Sequence, residues 1–378
     1  MTEFTVTMKN KKLLFVANTA WSMYKFRLPL LRALRERGYE PVIVAPRDEH
    51  SGKLRELGFR VIDIQLSQKG INPLDDLRTY FQLKKIYRKE SPFHIFHYTI
   101  KPNIYGSIAA NALKLPATSI VTGLGYTFIN KTVVSRIAVR LYRFAFRRAK
   151  EVWFLNEEDL NTFVQGNIVD PKKTFLLNGE GVDTRSFSPP PGLPVSSNKD
   201  TTFCFIGRLL YDKGIREYVH AARVLKRKHA NLQFQIVGFL NVANPSAVTR
   251  QEMSDWVGEG IVQYLGAVDD VKPIIAAADC IVLPSYREGM SMILMESASM
   301  AKPIITTDIP GCRQLVDDGV TGFLCKTRDA ADLILQLEKF IGLRSEQRIE
   351  MGNKARKKML DCFDVERVIE VYLHKLAS

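Results

Sequence analysis

No stretch of this 378-residue chain is apolar enough to cross a membrane as a helix. Its longest apolar run, IIAAADCIVLP, is about half a membrane span and is broken by Asp279. The opening segment MTEFTVTMKNKK has no apolar core ahead of a cleavage site, so a secretory signal peptide is not expected. Cysteine is scarce: five residues, scattered, with neither metal-ligand spacing nor the pairing of a disulfide framework. That usage fits a reducing cytoplasm. Asp-x-Asp pairs and His/Cys clusters are missing too, so no metal site is expected. There is no repeat at solenoid periods and no low-complexity tract.

What the chain does have is length and alternation. It exceeds one typical core and suits two domains. A hydrophobic content of 46% with 25% charge is ordinary for a globular protein. Short β-branched or aromatic runs alternate with helical patterns: KLLFVAN (12–18), EPVIVAP (40–46), FRVIDIQL (59–66), FHIFHYT (93–99), TSIVTG (118–123) and EVWFLN (151–156). Such alternation predicts parallel strands joined by helices. It stops at SFSPPPGLPVSSNKD (186–200), whose proline, glycine and serine read as a linker. It then resumes with TTFCFIG (201–207), LQFQIVG (232–238), IVQYLG (261–266), DCIVLPS (279–285), KPIITT (302–307) and TGFLC (321–325). The expected fold class is α/β: two doubly wound, Rossmann-like domains, 1–185 and 201–360, facing across a cleft lined by strand ends. Residues 361–378 are expected to form a C-terminal helix able to pack back on the first domain.

Two segments carry candidate chemistry. GRLLYDKG (207–214) directly follows the first strand of the second domain. Gly207 lets backbone approach a ligand, and Arg208 and Lys213 project from the turn and the helix start, forming a diphosphate clamp beside helix N–H groups. A surface loop with incidental charges reads equally well. In SYREGMSMILMESASM (285–300), Glu288 falls in a loop, Gly289, Met290 and Ser291 at a helix N-terminus, and Glu296 inside the helix. At about 1.5 Å per residue the two carboxylates lie roughly 10–12 Å apart, the span from the sugar to the ribose of a nucleotide sugar. The amides of 289–291 would face its phosphates. Met292, Met295 and Met300 read as core packing. TGLGYTF (122–128) begins like a dinucleotide fingerprint, but Phe128 takes the third glycine position and no acidic residue follows at the right distance. A Rossmann oxidoreductase is not expected.

GRLLYDKG, the Glu-x7-Glu pair in REGMSMILMES, KPIITTDIPGCRQLVDDGVTGFLC and FDVERVIEVYL together resemble glycosyltransferase family 4 over nearly the whole chain. That family comprises retaining enzymes of the GT-B fold. YTIKPNIYGSIAANAL (98–113) and TGLGYTFIN (122–130) are similar to a bacterial branch acting on polyprenyl-diphosphate-linked saccharides. The resemblance implies that Arg208 and Lys213 bind the donor diphosphate and stabilise the leaving group as its charge develops. It implies that Glu288 holds the donor sugar, with the amides of Gly289, Met290 and Ser291 near the phosphates. Glu296 would bind the ribose, and Gly238 and Val268 would border the base. The donor would be UDP-linked, with no cofactor and no metal. On the acceptor side, Lys101, Asn103 and Tyr105 would lie near the cleft edge. Many members carry a histidine where this chain has Thr122 and Gly123. His97, on the preceding strand, is a substitute that could line the cleft, although a histidine on a strand is more often structural. The leaving diphosphate can itself take the acceptor proton.

The net charge is +14. Solubility alone, nucleic acid, anionic lipid and phosphorylated substrates are all compatible with it. Residues 131–150, KTVVSRIAVRLYRFAFRRAK, hold seven basic residues and no acidic one, with Val133, Val134, Ile137, Leu141, Phe144 and Ala145 at helical spacing. Arg136, Arg140, Arg143, Arg147 and Arg148 flank that stripe. Such a helix can lie on an anionic membrane, or pack on the core behind a solvated basic face. The polyprenyl-linked acceptor of the resembled branch favours the membrane, on the inner face of the plasma membrane. Nucleic-acid binding is not expected, because no aromatic platform or recognition motif accompanies the charge. Two other readings stay open: another GT-B enzyme such as a nucleotide-sugar epimerase, and a basic binding module without activity.

Overall fold

The computed structural model describes residues 11–66, 72–124, 133–190, 200–240, 244 and 246–377. The C-terminal part of TGLGYTFIN (125–130), Lys131 and Thr132, the side chains of Val133 and Val134, and 191–199 of the linker lie outside them. The chain divides into two compact units, Met1–Glu180 with Val368–Ser378, and Gly181–Arg367.

The first unit is built on seven parallel strands: β1 (Lys12–Val16), β2 (Glu40–Ala45), β3 (Arg60–Asp63), β4 (His94–Tyr98), β5 (Ala117–Val121), β6 (Glu151–Phe154) and β7 (Thr174–Leu176). Their order is β3-β2-β1-β4-β5-β6-β7, with Leu14 opposite Val42 on one side and Ile95 on the other. The inner strands are nearly continuous apolar runs because helices cover both faces of a parallel sheet. Thus β4 and the last four residues of β1 are fully buried. β7 has no such run: three residues at the sheet edge, TFL, all partly exposed, are too short and too wet to stand out as a strand.

Helices Pro73–Glu90, Ser107–Ala112, Val133–Phe146 and Glu157–Gln165 follow β3, β4, β5 and β6. Ser107–Ala112 continues a five-residue π-helical turn, Pro102–Gly106. Helix Val133–Phe146 buries Ala138, Tyr142, Ala145 and Phe146, with Ile137 and Leu141 at the margin. Of the described side chains in the stripe read from the sequence, Ile137, Leu141, Phe144 and Ala145, only Ala145 is buried, and Phe144 points out at 64% exposure. The core-facing stripe is one of small and aromatic residues instead. The closing residues of the chain also belong to this unit. Tyr372, from helix Val365–Ala377, is buried against Phe96 and Trp153, ring centroids 4.8 and 5.0 Å away, and its hydroxyl lies 2.7 Å from that of Tyr98. Arg27 is buried with its guanidinium 4.0 Å over the Tyr98 ring and is ion-paired to Glu180, which neutralises a charge that burial alone would expel.

The second unit has six parallel strands: β8 (Thr201–Ile206), β9 (Leu232–Val237), β10 (Gln263–Tyr264), β11 (Cys280–Leu283), β12 (Ile304–Thr307) and β13 (Gly322–Cys325), in the order β10-β9-β8-β11-β12-β13. Its first residues are not linker. Thr184 donates to the Asp364 carboxylate, and Phe187 packs on the second unit's core. The unit therefore starts at Gly181, ahead of the proline-rich segment read as the boundary. Met295 and Met300 are buried in that core and Met292 packs against it. Among the described residues no helix is long and apolar enough to cross a membrane.

Candidate active site

Strand order in the second sheet reverses between β8 and β11. In an open α/β sheet that reversal leaves a crevice at the carboxyl ends of the two central strands. The loops leaving those ends are GRLLYDKG after β8 and PSYREGMS after β11, so topology alone brings the two candidate segments together. Helix Ile215–Lys228 begins at the end of the first loop, behind Gly214, and helix Met292–Ser299 at the end of the second, behind Ser291. Neither N-cap makes a side-chain hydrogen bond to its helix, whereas Thr249, Asn156 and Asp329 cap other helices in that way. First-turn amides without a side-chain acceptor are a ready anion site.

The loops are locked to one another by backbone. The Asp212 carbonyl accepts the Tyr286 N–H at 2.8 Å and the Ser285 hydroxyl at 3.3 Å, and the Asp212 carboxylate accepts from Ser246. A Cβ on Gly214 would sit 2.0 Å from the Pro284 carbonyl oxygen, and φ there is +74°, so only glycine fits the crossing. On the other flank the turn at Gly311 packs under Glu288 and Gly289, and its carbonyl accepts the Ser291 N–H at 3.1 Å. That amide, expected to face phosphate, is thereby committed to the protein.

Within this frame Lys213 donates to Glu288 Oε1 at 2.5 Å, with the two side chains 15% and 12% exposed. Two residues read separately from the sequence thus form one partly buried ion pair. A low-dielectric setting makes each the other's main source of neutralisation. Arg208 is exposed and has no side-chain partner among the described residues. Glu296 is half-buried in the middle of helix Met292–Ser299. Gly207 and Gly238 meet at the ends of β8 and β9. A Cβ on Gly238 would fall 1.9 Å from the Gly207 carbonyl oxygen, while a Cβ on Gly207 would meet nothing closer than 3.9 Å. Gly238 is a packing requirement; at Gly207 a Cβ would make only ordinary van der Waals contact with Leu283 and Phe205. Val268 packs at the margin of the core beyond β10. Tyr286, between the loops, donates to Glu217 at 2.6 Å and lies under the Arg328 guanidinium at 4.8 Å.

The first unit's candidates fare differently. His97 is fully buried, its Nε2 is 2.9 Å from the Tyr87 hydroxyl, and burial lowers its pKa to about 3. A Cβ on Gly106 would lie 2.5 Å from the His97 ring. It is a neutral core histidine and lines no cleft. Asn103 is likewise fully buried, donating to the Ile120 carbonyl at 2.9 Å, and it holds the π-helical turn to β5 rather than any cleft edge. Lys101 donates to Asp76 at 2.8 Å, and half-buried Tyr105 feels burial and the same carboxylate, which push its phenol pKa up. Thr122 and Gly123 follow β5, half-buried, with Gly123 at φ +133°. Thr99, immediately after β4, holds φ +70°, strained for a β-branched residue and located where the first sheet's order reverses.

Two family profiles match this chain, "Glycosyl transferase 4-like" over residues 12–156 and "Glycosyl transferases group 1" over 200–342. The chain belongs to the family 4-like, group 1 glycosyltransferases. It is 29% identical, over 95% of its length and 96% of the relative's, to the N,N'-diacetylbacillosaminyl-diphospho-undecaprenol alpha-1,3-N-acetylgalactosaminyltransferase of Campylobacter jejuni. It is 25% identical, over 82% of each chain, to the UDP-Gal:alpha-D-GlcNAc-diphosphoundecaprenol alpha-1,3-galactosyltransferase of Escherichia coli. Among solved structures, a glycosyltransferase from Rickettsia africae superposes with TM-score 0.80 over 97% of this chain and 98% of that one, at 16% identity. Anabaena HepE, in complex with UDP and glucose, gives 0.79 over 97% of this chain and 100% of that one, at 19% identity. The glycosyltransferase has the GT-B fold expected from its sequence.

Proposed function

We propose that this glycosyltransferase moves a sugar, an N-acetylhexosamine or a hexose, from a UDP-sugar to a polyprenyl-diphosphate-linked saccharide, with retention at the anomeric carbon. The observation that carries the reading is the gathering of Arg208, Lys213 and Glu288 at the β8/β11 crevice beside two helix N-termini without side-chain caps. Arg208 and Lys213 would bind the donor diphosphate and offset the charge that develops on it as the glycosidic bond breaks. Glu288 would hold sugar hydroxyls from its ion pair with Lys213, Glu296 the ribose, and Gly207 would give the nucleotide room. Gly289 and Met290 would offer amides to the phosphates, and Gly238 and Val268 would border the base. The departing diphosphate would take the acceptor proton. In this reading the two cations supply the charge stabilisation and no metal is needed.

The acceptor class is inferred from the undecaprenol-linked substrates named for the relatives in Campylobacter jejuni and Escherichia coli. On the first unit, Lys101, Tyr105, Thr122 and Gly123 remain the acceptor-side residues of this proposal. Exposed Arg136, Arg140, Arg147 and Arg148 support peripheral attachment to the anionic cytoplasmic face of the membrane that carries such acceptors.

The test is transfer from UDP-N-acetylhexosamine or UDP-hexose to a polyprenyl-diphosphate saccharide, with product configuration read by NMR. Glu288→Ala and Arg208→Ala should each slow transfer by about two to three orders of magnitude while the protein stays folded. Wild-type rates in either variant sink the site. An inverted product sinks retention. A donor altered without any acceptor would identify an epimerase instead.

A further inference from the structure

Helix Pro73–Glu90 buries Asp76, Thr79, Leu83, Tyr87 and Glu90. On its opposite side Leu74, Leu77 and Phe81 stand 77%, 53% and 57% exposed. At roughly 100° per residue these three fall within about 60° of arc. Arg78, also exposed, lies in the same stripe between Leu77 and Phe81, exposed Lys85 and Arg88 continue it toward the helix C-terminus, and no acidic residue interrupts it. A soluble surface scatters its apolar residues singly; three in line mark an interaction face.

Right-handed crossovers put the helices after β3, β4 and β5 on one face of the first sheet. Helices Pro73–Glu90 and Val133–Phe146 both pack on the 102–112 segment between them. Each turns outward an aromatic among cations, Phe81 near Arg78 and Lys85, Phe144 near Arg140 and Arg147.

We infer that the exposed stripe of helix Pro73–Glu90 inserts its apolar residues into an anionic lipid surface, forming with helix Val133–Phe146 a single membrane-docking face. Charge complementarity selects the occupant: Arg78, Lys85 and Arg88 suit lipid phosphates, while Leu74, Leu77 and Phe81 reach the acyl boundary. The inference rests on the membrane reading above and adds to it the insertion element.

Co-sedimentation with phosphatidylcholine vesicles containing phosphatidylglycerol, at low salt, tests it on the full chain. Leu77→Ser/Phe81→Ser should lower vesicle retention by about tenfold or more. Transfer to a short-chain, water-soluble acceptor should stay at the wild-type rate, because these side chains stand on the exposed side of the helix, opposite its buried face. A variant that binds vesicles like wild type overturns the stripe's role and leaves the membrane reading standing. Wild type that fails to bind overturns both. If the substitution instead converts a dimer to a monomer in sedimentation velocity, with vesicle retention unchanged, the stripe covers a second copy and the inference is wrong. The companion Arg136→Gln/Arg140→Gln addresses the underlying reading alone: it should lower retention at low salt and flatten its fall with added salt, since fewer screened charges hold the protein to the lipid.

Discussion

Glycine separates packing from ligand space in this site. Gly214 and Gly238 are required by neighbouring carbonyls, whereas among the described residues a Cβ on Gly207 meets nothing closer than 3.9 Å. Gly214→Ala should cost about 1–3 kcal/mol and lower the melting temperature measurably. Gly207→Ala should leave the melting temperature within a degree or two and weaken donor binding; unaltered donor affinity would remove Gly207 from the site. The positions of Arg208, Lys213 and Glu288, in the loops just past β8 and β11, were legible from the buried runs that precede them. His97 takes the structural role that is commoner for a histidine on a strand, and Asn103 was placed at a cleft edge because a sequence does not show partners. Each has one hydrogen-bonded side-chain nitrogen in the core, to the Tyr87 hydroxyl and the Ile120 carbonyl. Asp212 and Gly311 went unread as site supports because they act through backbone, which any residue type carries.

Among elements, β4 makes a prediction through its two buried imidazoles. Burial holds His94 and His97 at pKa values of about 3, below the ordinary 6.5. Between those values the unfolded chain binds protons that the folded chain refuses. Their contribution is therefore fully present above pH 6.5 and is lost as pH falls toward 3. Thermal denaturation from pH 7 to 4.5 should show a falling melting temperature, and His97→Gln should flatten that fall whatever its own stability. An unchanged slope would place the imidazole in contact with water. Strands with continuous apolar runs were readable directly, and β7 was not, since an edge strand of three residues carries too few apolar positions to show a period. Helix Pro73–Glu90 shows the converse limit: Leu74, Leu77 and Phe81 recur at the spacing of a buried stripe, and only the structure reveals that they face outward.

For the molecule as a whole, the architecture followed from counting alternations, and both sheets have the doubly wound order expected. The unit boundaries did not follow, because composition marks the proline-rich segment while packing gives the second unit Thr184, ahead of it, and Phe187, at its start. A net charge of +14 makes any lipid attachment salt-dependent. Vesicle retention should fall steeply from about 0.05 to 0.5 M salt as the Debye length shortens, leaving the apolar contribution. Retention indifferent to salt would deny the cations their part.

The central claim is that one crevice reads the two ends of a nucleotide sugar. Calorimetric titration of UDP and of the UDP-sugar into wild type, Glu288→Ala and Glu296→Ala tests it most directly. Glu296→Ala should weaken both ligands by about tenfold or more, and Glu288→Ala should weaken the UDP-sugar by a similar factor while sparing UDP. Equal losses for both ligands in both variants, or no loss in either, would contradict the assignment.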